Sequence, residues 1–237
     1  MQITHYLRRI IHRASGIANK HFTVRNKIGD DLVTDADEEI EKYLIAKLRK
    51  KFPNFDIISE EFNGNKDLTE NCFVIDPIDG TINFANGLPL WGMQIACLRG
   101  GAVVSAVLYF PRLHQMFWAD EDGAFCNGKK LDITQNKWNK KPIYVVEGGS
   151  KFDALQQMEA NVSRNFRYLC CAALNYAWTA SGLLGGNILR KNTPWDYISG
   201  LYLVQMAGGY VIDEENAHIG ATTKQMAEEL YKYGKLK

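Results

Sequence analysis

The chain has 237 residues, 46% of them hydrophobic and 23% charged, with a formal net charge of +1. That length can bury a sizeable core in one large or two small domains, and the charge balance gives no reason to expect nucleic acid or an acidic membrane surface as the main partner. No apolar run is long enough to span a bilayer, and five cysteines, with Cys170 and Cys171 adjacent, argue against a complete disulfide framework, so a reducing cytoplasm is the expected setting.

The first segment carries Arg8, Arg9 and Arg13, as a targeting peptide would. Its apolar residues Ile3, Leu7, Ile10, Ala14 and Ile17 instead fall at helical spacing, without a signal-peptide apolar stretch, and predict a core-packed first helix. Gly29-Asp30-Asp31 reads as a loop leading to a second helix over 37–51, stopped by Pro53. Strands are expected at 57–58, 72–75, 93–98, 102–110 and 115–119, with Arg99-Gly100-Gly101 and Asp122-Gly123 as turns. Asn127-Gly128 suits a hairpin between Ala124-Phe125 and the residues around Leu131. Helices followed by consecutive strands give an α+β first half, 1–139.

The polar, lysine-rich stretch 134–141 reads as the boundary to a second half, 140–237. There a strand over 143–147, a helix over 153–161, a strand over 166–169 and a helix over 172–184 alternate. A helix over 195–207, capped by Gly208-Gly209, then leads to a strand at 210–212, and the alternation predicts an α/β half. Trp91, Trp118 and Trp178 sit in apolar surroundings and read as core. The five histidines show no metal-ligand spacing, and neither His114 nor His218 has a Ser or Cys nucleophile nearby.

The most informative stretch is Asp76-Pro77-Ile78-Asp79-Gly80-Thr81, which sets two carboxylates three apart at the end of the apolar run Cys72-Phe73-Val74-Ile75. Carboxylates facing one another repel unless a cation lies between them, and Mg²⁺ takes such hard oxygen ligands. Pro77 restrains the backbone, Gly80 permits close approach of a ligand, and Thr81 adds a hydroxyl at the start of a helix. An Asp-Pro turn with an Asx cap is the plainer reading. Two more acidic stations weigh against it: Ser59-Glu60-Glu61 after one short apolar run, and Trp195-Asp196 before a long apolar helix. Either Glu60 or Glu61 could be the inward acid. Asp37 could simply be favourable charge in a first helical turn, and Asp196 a helix cap.

Taken with Asp31-Leu32-Val33-Thr34-Asp35-Ala36-Asp37, with Gly123-Ala124-Phe125-Cys126-Asn127-Gly128, and with Gly200 through Ala207-Gly208-Gly209, these stations occur in an order that resembles the inositol monophosphatase-like, Mg²⁺-dependent, lithium-sensitive phosphatases over nearly the whole chain. The resemblance implies a layered αβαβα sandwich of the inositol monophosphatase and fructose-1,6-bisphosphatase type, with metals where the two halves meet. It makes Glu60, Asp76, the carbonyl of Ile78, Asp79 and Asp196 ligands of two or three Mg²⁺ ions. Asp37 and Thr81, with Glu60, would activate the attacking water, and Lys27 matches a loop lysine of the family. Gly80, Thr81, Ala172 and Asp196 would meet the substrate. A homodimer and a small phosphate monoester as ligand are implied too, with inositol 1-phosphate the default. 3′-Phosphoadenosine 5′-phosphate, fructose 1,6-bisphosphate and NADP compete, and a non-catalytic module bound to RNA-processing or transcription machinery is the alternative from another class.

The chain departs from that pattern at the substrate end. Leu189 stands where inositol-selective relatives carry a glutamate for a ring hydroxyl, and Cys170-Cys171 stand where they carry small Gly, Ser or Thr residues. A leucine cannot accept that hydrogen bond. The stretch after Asp213 is also short, which implies a missing loop near the site.

Overall fold

Apolar spacing, capping and strand alternation resolve into five layers in a computed structural model, which describes residues 3–18, 22–26, 32–134, 141–148, 152–191 and 193–234. Helix α1 (Ile3–Ala14) is followed by a two-stranded antiparallel ribbon, β1 (Val24–Asn26) and β2 (Leu32–Thr34), and by helix α2 (Asp35–Lys51). Then come β3 (Asp56–Ser59), β4 (Cys72–Asp79), the short helix α3 (Thr81–Ala85), β5 (Gly92–Arg99), β6 (Ala102–Phe110), β7 (Gln115–Asp120), β8 (Gly123–Cys126) and β9 (Lys129–Leu131). The remainder runs β10 (Tyr144–Glu147), α4 (Phe152–Asn161), β11 (Phe166–Arg167), α5 (Ala172–Ala180), β12 (Gly186–Leu189), α6 (Pro194–Met206), β13 (Tyr210–Glu214), β14 (Ala217–Ala221) and α7 (Lys224–Gly234).

Strands β3 to β9 form a seven-stranded sheet in sequence order, antiparallel except for the parallel pair β3 and β4. The second sheet has the order β11-β10-β12-β14-β13, with β10 parallel to both neighbours. Leu7, Ile10 and Ile11 of α1, and Ile40, Leu44 and Leu48 of α2, cover one face of the first sheet against Phe73, Ile75 and Ile95. Its other face packs Leu108 and Phe117 against Tyr176 of α5 and Leu203 and Val204 of α6, a layer that also takes in Leu189 of the second sheet. On the outer face of that second sheet Val146, Ile188 and Ile219 meet Met158 of α4 and Leu230 of α7. The layered αβαβα sandwich is therefore present, with α5 and α6 shared by both sheets.

Those two helices approach closely. A side chain at Gly200 of α6 would place its Cβ 2.3 Å from the Tyr176 ring, well inside contact distance, so the crossing requires glycine.

Several element ends differ from the sequence reading. Helix α2 starts at Asp35 because Thr34 caps it: Asp37 N–H meets the Thr34 hydroxyl at 3.4 Å, and Thr34 N–H donates to the Asp37 carboxylate at 2.8 Å. Helix α5 stops at Ala180, short of 184, where the chain turns through Gly182 at positive φ. Strand β11 has two residues, not four. Strands β12 and β14 and helix α7 were not foreseen; β12 begins at Gly186, and all four of its residues are buried, which erases alternation. The expected boundary at 134–141 falls mostly outside the described residues. All five cysteines are free thiols, and among the described residues no helix is long and apolar enough to cross a membrane.

Candidate active site

Asp76 and Asp79 are three positions apart, an odd spacing that on a regular strand turns side chains to opposite faces. Strand β4 pairs Asp76 with Gln94 but Asp79 with Gly92, so three steps on β4 oppose two on β5, and a bulge takes up the extra residue. Pro77, lacking an N–H for the ladder, is tolerated in such a bulge. Both carboxylates consequently turn to one side, where one oxygen each of Asp76, Asp79 and Asp196 lies within 4.8 Å of the other two. They line a cleft of about 470 Å³ together with Glu60, Ile78 and Thr81.

Each acid is held by a different element. Asp79 Oδ1 accepts from Ala172 N–H at 3.2 Å, and its Oδ2 from Ala173 N–H and, at 3.4 Å, from the Cys171 thiol, so the start of α5 grips this carboxylate. Asp196 sits in the first turn of α6, and its Oδ2 accepts from the Thr193 hydroxyl. Thr193 occupies the cap position, so the cap reading of Asp196 does not hold. Asp37 is fully buried at the start of α2, 3.4 Å by its Oδ1 from the Thr81 hydroxyl, which donates more closely to the Ile78 carbonyl at 2.9 Å. One turn further along α2, buried Glu41 accepts from the Ser59 hydroxyl at 2.5 Å and from Glu61 and Phe62 N–H, both at 2.9 Å. That clamp fixes the turn after β3, leaving Glu60 on the cleft and Glu61 off its lining. Glu60 stands outside the tight triad but close enough for its charge to raise the pKa values of Asp37, Asp76, Asp79 and Asp196.

Burial and mutual repulsion make this a strongly perturbed group. Burial lifts Asp37 to about 6 against the Thr34 hydrogen bonds, and lifts Asp79 to about 6 against donors from Ala173, Cys171 and Ala172. Asp196 is raised to about 7 by burial and then by Asp79. Asp76 is raised well above the usual carboxylate range by burial, and further by Glu60, Asp79 and Asp196. Its Oδ1 is buried without a hydrogen-bond partner, and Oδ2 only reaches Gln94 Nε2 at 3.5 Å. A bare buried carboxylate oxygen among like charges is costly unless a cation satisfies it, and an all-oxygen donor set fits a hard dication such as Mg²⁺. The Ile78 carbonyl keeps a second lone pair for the same purpose.

Next to Asp79 on the cleft, Gly80 has φ 84°, and a Cβ there would lie 3.0 Å from the carbonyls of Leu90 and Cys170. Ala172 is buried with its N–H committed to Asp79, whereas Cys170, at φ 53°, lines the cleft beside Tyr168. Leu189 is buried in the middle layer. The sequence reading missed Glu41, Glu147 and Lys191, the last two of which line the cleft. Glu41 had a usable signal, one helical turn after Asp37; Glu147 ends an apolar strand and carried none of its own. Lys27 and Asp31 lie outside the described residues.

The model of the inositol monophosphatase family matches residues 3–231. A Thermotoga maritima protein named fructose-1,6-bisphosphatase/inositol-1-monophosphatase is 34% identical over 207 residues, covering 85% of this chain and 79% of that one. Among solved structures, a Thermotoga maritima IMPase superposes with a TM-score of 0.86 at 27% identity, covering 99% of this chain and 98% of that chain. A structure described as IMPase/NADP phosphatase complexed with Mg²⁺ and phosphate gives a TM-score of 0.82 at 20% identity, over 98% of this chain and 94% of that one. With its acids gathered on this sandwich and its sequence matched over residues 3–231, the chain belongs to the inositol monophosphatase family of phosphatases.

Proposed function

We propose that this phosphatase hydrolyses the phosphate monoester of a small polyol in a Mg²⁺-dependent reaction, with inositol 1-phosphate as its default substrate. The observation that carries the reading is the bulge-built triad of Asp76, Asp79 and Asp196 around an unpartnered buried oxygen. Glu60, Asp76, the Ile78 carbonyl, Asp79 and Asp196 would hold two or three Mg²⁺ ions, which when bound neutralise the ester and acidify water. Asp37 and Thr81 orient the attacking water through the Thr81 hydroxyl, and Asp37, at about 6, is deprotonated at neutral pH and takes its proton. Backbone N–H groups of Gly80 and Thr81 receive phosphate oxygens where no side chain intervenes. Asp196 and the Ala172 segment face the polyol.

Lys191 on the cleft wall supports a second reading, in which the substrate carries another anionic group, as fructose 1,6-bisphosphate, NADP and 3′-phosphoadenosine 5′-phosphate do. The test is phosphate release from these four compounds, with Mg²⁺ and with chelator, by wild type and Asp79→Asn. Release that requires both Mg²⁺ and Asp79 is expected, and millimolar Li⁺ should suppress it. Undiminished turnover in Asp79→Asn overturns the ligand assignment.

A further inference from the structure

The cleft has an acid that the metal site does not use. Glu147 ends β10, and in the parallel pairing of β10 with β12 its register partner is Leu189, so the two side chains leave the sheet on the same face at the same level. Leu189 is sealed in the middle layer, while Glu147 reaches the cleft wall with Tyr168, Cys170 and Lys191. Glu147 Oε2 accepts from Asn175 Nδ2 of α5 at 2.5 Å, which fixes the carboxyl's orientation from behind. The amide oxygen of Asn175 is itself buried without a partner, so this pair sits in a polar pocket that the protein alone leaves incompletely satisfied.

We propose that Glu147 is the specificity-determining acid of this chain, accepting a hydrogen bond from a hydroxyl of the substrate's polyol in place of the acid that residue 189 does not supply. The inference rests on the phosphatase reading above and adds the residue that recognises the non-phosphate half of the substrate. A carboxyl oxygen is available to a hydroxyl in either protonation state, and Glu147 shares the cleft lining with Gly80, Thr81 and Asp196, the residues that would meet the ester. Losing one such bond from a closed site is worth about 10- to 100-fold.

The test compares inositol 1-phosphate with 4-nitrophenyl phosphate, which has no hydroxyl, on wild type, Glu147→Ala and Glu147→Gln. We expect kcat/KM for inositol 1-phosphate to fall about 10- to 100-fold in Glu147→Ala and less in Glu147→Gln, which keeps an acceptor, while 4-nitrophenyl phosphate changes by less than about twofold. Equal losses on both compounds would place Glu147 with the phosphate machinery and overturn the proposal, as would no loss on either. Calorimetric binding of both esters with Ca²⁺ replacing Mg²⁺ gives the same comparison without turnover. If wild type binds inositol 1-phosphate through Glu147 yet releases no phosphate, the hydrolytic reading fails and this one stands.

Discussion

The two ends of the cleft are built differently. At the acidic end, two carboxylates come from one strand, and their geometry is imposed by backbone: a bulge, a left-handed glycine and the N–H groups of α5. At the other end, Glu147, Tyr168, Cys170 and Lys191 come from a strand terminus and loops of the second sheet, and side chains set the shape. The first arrangement constrains chemistry common to every phosphate ester; the second can drift in sequence without touching that chemistry. A family can therefore share its catalytic end while dividing its substrates at the other.

Both ends depend on the α5–α6 crossing, and disturbing it should break them together. Gly200→Leu drives a side chain into Tyr176 and should cost about 3 kcal/mol, read as a lower urea midpoint, with activity on all esters falling in step. A variant as stable as wild type would show that the crossing tolerates a side chain.

A pH titration should isolate the acidic end. Asp37, Asp79 and Asp196 hold protons in the folded protein that they would release near pH 4 when unfolded, so without metal the folded state binds more protons between about pH 4 and 7. Stability in chelator should therefore fall as pH rises through that window, and Mg²⁺ should raise Tm by about 5 °C or more at pH 8 but much less at pH 5. A Mg²⁺ effect independent of pH would detach these acids from cation binding.

Cys171 lies at the border, with its thiol on Asp79 and its neighbour Cys170 on the cleft lining beside Tyr168. Replacing it by Val should raise the half-saturating Mg²⁺ concentration about threefold, and Ser, which keeps a donor, should restore it. If Ser and Val behave alike, the thiol only fills space.

The acidic end was largely legible because its residues cluster in short stations: the run from Asp76 to Thr81 reaches the cleft through both its carboxylates, the station after β3 through Glu60, and the start of α6 through Trp195 and Asp196. What sequence could not reveal was how an odd spacing becomes a shared face, since a bulge appears only in the pairing with β5. Glu41 was legible in principle as the acid one turn after Asp37, yet its role depends on the N–H groups of a distant turn. Glu147 was not legible at all, because its place on the cleft comes from the β10–β12 register, two strands separated by two helices and a further strand. The α+β and α/β character of the chain followed from alternation and helical spacing and the layer order from the family resemblance, whereas β12, buried on both faces, had no alternation to read.

The bulge in β4 also makes chain length, rather than residue identity, the quantity most exposed to damage at this site. Inserting one residue in β5 between Gly92 and Gln94 would leave every acidic side chain in the protein, yet let β4 pair regularly and send one carboxylate of the pair into the opposite layer. Insertions in the strand opposite Asp76 and Asp79 are thus a separate class of lesion, invisible to any inventory of ligands.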